Sequence, residues 1–159
     1  MEKYSLEQII DDAWKSCIIE NNEKEYVAEE NVAVLVASFE TCKQRIDPKI
    51  ISSEAVEMGG FKGGIIIIKE QMTNFQTLKF VVMHEMGHIL HGDTMEGVSI
   101  DQLLLHEIAA DRYAVDRGGF SNDDVIEIIS DIYNMYKKGG VEFDKEFKEF
   151  ISRRLNSLR

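Results

Sequence analysis

HEMGH, residues 84–88, packs two histidines and a glutamate into five positions. With four His and eighteen Glu in 159 residues, a His-Glu-x-x-His pattern is expected by chance roughly 0.01 times. On a helix, His84 and His88 project from one face and can reach a single ion. Glu85 lies about 100° around from His84. There it is displaced from the ligating side, yet near enough to take a proton from an attacking water. Zinc is the natural ion for two neutral imidazoles and a carboxylate, with other divalent metals left open by the ligand set alone.

The surroundings support a helix. Leu78, Val82, Met86 and Ile89 give an apolar face, Thr73 with Gln76 reads as a capping box, and Gly92 is the expected stop. Upstream, IIIIKE (65–70) is a β-branched run, and the glycines of GGFKGG (59–64) suit a tight reversal feeding it. VAVLVASF (32–39) reads as a buried strand, reached through the charged stretch NNEKEYVAEEN (21–31). Residues 41–58 are ambiguous: Asp47-Pro48 marks a turn, and KIISSEAVEM suits a strand followed by a short helical turn. The chain opens with an amphipathic helix on Leu6, Ile9, Ile10, Ala13, Trp14, Cys17 and Ile18, capped by Ser5 with Gln8 and ending near Asn21-Asn22.

Beyond Gly92, periodicity predicts helices near 100–117, 121–137 and 143–157. The last carries Phe143, Phe147, Phe150, Ile151 and Leu155 on one stripe, expected to dock on the protein's own core. The order is an α+β pattern in one domain over residues 1–159.

A catalytic zinc usually has three protein ligands, so the downstream acids and histidines have to be separated by face. In the helix near 100–117, Glu107 and Asp111 share an arc with Leu103, Leu104, Ile108, Ala110, Ala114 and Val115. A carboxylate buried without a partner costs several kcal/mol, so this pair demands cations, hydrogen-bond donors or a metal opposite. Glu127 and Asp131 have the same spacing, but their arc also holds Asp123, Asp124, Ser130 and Asn134, a solvated face. His106 points away from Glu107. His91 lies about 4.5 Å further along the axis than His88 and suits the cleft lining or the helix end. The longer His-Glu-x-x-His-x-x-Gly-x-x-His pattern fails, with His91 at its glycine position and Thr94 at its third histidine.

HEMGH followed by HEIAADRYA resembles the zinc metallopeptidases whose third ligand is a glutamate, most closely the small ImmA/IrrE-type peptidases. That family's Glu-x-x-Ala-Asp-x-Phe/Tyr-Ala element is matched by Glu107, Ala110, Asp111, Tyr113 and Ala114. The resemblance covers mainly residues 60–117. It implies zinc held by His84, His88 and Glu107, Glu85 as catalytic base, and Asp111 as partner of a ligating histidine. It also implies a zincin-like fold, a small sheet packed on the zinc helix and further helices. Family members often carry or accompany a helix-turn-helix DNA-binding module, and no such module is legible here. Nor is there an obvious late histidine to stabilise an oxyanion, a role that falls to a tyrosine or to Arg112.

Composition narrows the class. Hydrophobic residues make up 44% and charged residues 30%, typical of a globular chain. The net charge of −11 opposes direct nucleic-acid binding. Cys17 and Cys42 form no Cys-x-x-Cys pair, and no apolar run of membrane-spanning length is present. These features, with acidic residues close to Met1, point to a cytoplasmic protein with no membrane partner, and the resemblance implies a protein or peptide substrate. The expected activity is that of a zinc metalloendopeptidase. The alternative is a non-catalytic zinc-binding regulatory or interaction protein.

Overall fold

Two β-branched strands, β2 (Ala33–Ala37) and β4 (Gly64–Ile68), run parallel at the centre of a four-stranded sheet. The computed structural model describes residues 2–45, 55–56, 64–72, 74–93 and 97–159. The edges are β1 (Lys24–Val27), antiparallel to β2, and β3 (Ala55–Val56), antiparallel to β4, giving the order β1-β2-β4-β3. Around the sheet lie α1 (Leu6–Lys15), α2 (Phe39–Arg45), α3 (Phe75–His91), α4 (Ile100–Gly118), α5 (Asn122–Lys138) and α6 (Lys145–Asn156). The chain is therefore α+β and mostly helical. Among the described residues, no helix is long and apolar enough to cross a membrane.

The central strands are buried along nearly their whole length because both faces are covered. Alternation sends Val34, Val36, Ile65 and Ile67 into the main core, against Leu6, Ile9, Leu78, Val82 and Met86 of α1 and α3. Leu35, Ala37 and Ile66 face the other way and pack with Cys42 of α2.

Most expected helix signals hold. Ser5 and Gln8 form the reciprocal capping box of α1, which continues through a π-helical turn, Ser16–Glu20, to Asn21 in the left-handed region. Gly92, at φ 69°, ends α3. The cap of α3 is Asn74, whose side chain accepts from Thr77 N–H, rather than Thr73, which lies outside the described residues. Strand β1 is hidden in the charged stretch 21–31, where Lys24 and Glu25 mask Tyr26 and Val27, both buried against the core by pairing with β2. The Asp47-Pro48 turn and most of KIISSEAVEM and GGFKGG also lie outside the described residues.

The packing of α3 on α4 fixes the site. A Cβ placed on Gly87 would lie 3.0 Å from Tyr113 Cβ and 3.2 Å from Ala110 Cα. The glycine inside HEMGH thus lets the two helices approach closely, and Ala110 keeps the facing surface low.

Helix α6 docks on its own chain. Leu155 and Leu158 reach the main core, and Phe143 and Phe147 meet Tyr133 of α5 edge-on, with centroids 6.2 and 5.8 Å away.

Candidate metal centre

His84 and His88, one turn apart on α3, bring their Nε2 atoms within 3.1 Å of each other, with rings nearly perpendicular. Both side chains are buried, at 4% and 10% exposure. Glu107 straddles them from α4. Its Oε2 lies 3.1 Å from His84 Nε2 and its Oε1 3.2 Å from His88 Nε2. Glu85 is 2% exposed and stands further off, with Oε1 3.8 Å from His84 Nε2. His84, Glu85 and His88 also form a cluster with ligating atoms within 4.8 Å of one another. Of the two glutamates, Glu107 is the better placed to share an ion with both imidazoles, since it approaches each of them more closely.

Asp111 is fully buried on the same face of α4 as Glu107, one turn on. Its Oδ1 lies 2.9 Å from His84 Nδ1, close enough for an ion pair but short of hydrogen-bond alignment. Arg154 of α6, 8% exposed, donates from Nε and Nη2 to the two Asp111 oxygens at 2.7 Å each. Its Nη1 donates to the Tyr133 hydroxyl at 2.8 Å and lies 3.2 Å from Glu107 Oε2. On the other side, His88 Nδ1 lies 2.9 Å from Asp93 Oδ2, and His106 Nε2 lies 3.7 Å from Asp93 Oδ1.

The electrostatics follow from this geometry. Burial raises the proton affinity of both Glu107 and Asp111, but their partners outweigh it. His84, His88 and Arg154 hold Glu107 far below the usual carboxylate range, and Arg154 with His84 lowers Asp111. Burial opposes a charge on His84, yet Asp111 and Glu107 push its pKa up to about 9. Among the described residues, four carboxylates (Glu85, Asp93, Glu107 and Asp111) gather here around Arg154 and the two histidines, so the centre favours a cation.

The donor set fits zinc. Tetrahedral ligands with metal bonds of about 2.0–2.1 Å lie roughly 3.3 Å apart. His84 Nε2 and His88 Nε2 are 3.1 Å apart, and a different oxygen of Glu107 approaches each of them, Oε2 at 3.1 Å and Oε1 at 3.2 Å. The partners behind both imidazoles are the carboxylates that typically fix a ligating histidine's tautomer.

All five residues singled out by sequence, His84, Glu85, His88, Glu107 and Asp111, are brought together. Glu127 and Asp131 are exposed on α5. His91 packs edge-on to Tyr113, its ring centroid 6.2 Å away. Arg112 is exposed and donates to Asn122 at 3.3 Å, away from the centre. The arginine that does enter is Arg154, which sequence reasoning passed over although it sits between Ile151, Leu155 and Leu158, where a charge interrupts a docking stripe. Asp93 and Tyr133 were also missed.

A family model described as Peptidase family M48 matches residues 23–137, from β1 to the last turn of α5. No curated protein and no solved structure matches the chain.

Proposed function

The chain belongs to peptidase family M48, and from that premise we propose that it is a zinc metalloendopeptidase that hydrolyses peptide bonds in a protein substrate. In this reading His84, His88 and Glu107 hold the metal, Glu85 is the catalytic base, and Asp111 positions His84. The observation that carries it is the convergence of both Nε2 atoms on the Glu107 carboxylate beside Glu85.

Polarisation of the scissile carbonyl and activation of the attacking water are what a zinc ion supplies when bound. The protein does the rest. His84 and His88, nearly excluded from water, present their Nε2 atoms to one point, and Glu107 closes the third side. With a metal on Nε2, the proton left on His84 Nδ1 would face Asp111, 2.9 Å away, which would hold the ring in its ligating orientation. Glu85 accepts a proton from the attacking water on a carboxylate oxygen beside His84 Nε2. Burial strengthens each of these interactions by excluding competing water.

Within the metallopeptidases we favour the small ImmA/IrrE type, on the Glu107-x-x-Ala110-Asp111-x-Tyr113-Ala114 element. Glu107 and Asp111 enter the centre, while Ala110 and Tyr113 form the surface against Gly87. A zincin-like arrangement, a sheet behind the zinc helix with the glutamate helix in front, belongs to the same proposal.

Elemental analysis of protein purified without chelator tests this reading, and one zinc per chain is the expected result. Absence of metal, with no uptake on adding zinc, overturns it.

A further inference from the structure

We propose that Asp93 is a positioning residue that holds His88 in its ligating tautomer and orientation, an inference that rests on the zinc reading above. Resemblance supplies one carboxylate for a ligating histidine, Asp111, which lies at His84. It supplies none for His88, and the fold provides one by a different route.

That route is the stop signal of α3. Gly92 adopts φ 69°, a backbone conformation that favours glycine, and turns the chain back on the helix. The N–H of Gly92 then donates to Ile89 O at 3.1 Å, and that of Asp93 to His88 O at 3.0 Å. The second bond places Asp93 beside the residue whose carbonyl it caps. Its side chain, 9% exposed, puts Oδ2 2.9 Å from His88 Nδ1. Asp93 therefore tethers His88 twice, through the main chain and through the imidazole.

The chemical consequence concerns the proton. A carboxylate oxygen can only accept, so Nδ1 is the donor toward Asp93, and Nε2, which faces His84 and Glu107, is the nitrogen left for an ion. His106 of α4 lies behind the arrangement, with Nε2 3.7 Å from Asp93 Oδ1. Each histidine of HEMGH thus has its own carboxylate, one from α4 and one from the turn that ends α3.

The test compares the parent with Asp93→Ala and Asp93→Asn by two measurements. Proton–nitrogen correlation spectra of the metal-free proteins report the His88 tautomer, and competition with a chelator reports zinc affinity. The parent should show His88 protonated at Nδ1. Asp93→Ala should show mixed tautomers and a zinc affinity lower by roughly 10- to 100-fold. Asp93→Asn, whose side-chain carbonyl still accepts from Nδ1–H, should recover most of that loss. The main-chain bond to His88 O survives both substitutions, so the thermal midpoint of the metal-free protein should change little. An unchanged tautomer in Asp93→Ala overturns the proposal, whether or not zinc binding falls. If the parent takes up no zinc, the metal reading fails, and the tautomer spectra still decide whether Asp93 holds His88.

Discussion

Arg154 grips Asp111 through two parallel hydrogen bonds of 2.7 Å, joining α6 to α4 across 43 residues of sequence. The pair is buried, and its charges are matched in the bidentate geometry that suits guanidinium and carboxylate. Asp111 in turn stands behind His84, so the last helix of the chain supports the first residue of HEMGH. The family match ends at residue 137, before α6 begins.

Arg154→Met keeps much of the side-chain volume and removes the charge. It leaves Asp111 and Glu107 buried with only the histidines opposite, which should destabilise the metal-free protein by up to about 3–5 kcal/mol. Denaturant unfolding measures this directly. A midpoint equal to the parent's would mean that the Arg154–Asp111 pair does not hold α6 in place.

The two Glu-x-x-x-Asp pairs should behave oppositely. Glu107→Ala should lose zinc severely, and Asp111→Asn should bind it roughly 10- to 100-fold more weakly through a misaligned His84. Glu127→Ala and Asp131→Ala, on the exposed face of α5, should stay within about ±0.5 kcal/mol of parental stability and bind zinc normally. Zinc titrations and unfolding curves of the four variants check the contrast.

Glu85→Gln should retain one zinc per chain and lose peptide hydrolysis, since an amide does not accept the proton that the carboxylate does. The assay needs only a cleavable protein or peptide and a metal determination on the same sample. Undiminished turnover would remove Glu85 from the mechanism. A parent that holds zinc but cleaves nothing would favour a regulatory role.

Gly87→Ala tests the helix contact. Alanine is the better helix former by about 1 kcal/mol, but its methyl would meet Tyr113 Cβ at 3.0 Å and Ala110 Cα at 3.2 Å. Overpacking of this kind costs about 1–3 kcal/mol. The expected net result is a lower thermal midpoint, together with weaker zinc binding as Glu107 is pushed away from the histidines. A more stable variant with unchanged zinc affinity would show that α4 yields without strain.

Local chemistry was legible in the sequence. Helical spacing alone put His84 and His88 on one face, and the apolar arc around Glu107 and Asp111 marked them as buried acids in need of partners. The β-branched runs at 32–39 and 65–70 announced the two central strands, and Gly92 announced the end of α3. Each of these signals lies within a few turns of chain, where periodicity fixes direction. Strand β1 escaped because two of its four residues are charged, and only pairing with β2 makes it a strand. Arg154 and Asp93 escaped for the complementary reason. Which cation would neutralise Asp111 depended on α6 folding back over α4. Which group would hold His88 depended on how the chain turned at Gly92. Sequence periodicity states that a buried charge needs a partner, and the packing of distant segments decides which residue meets that need.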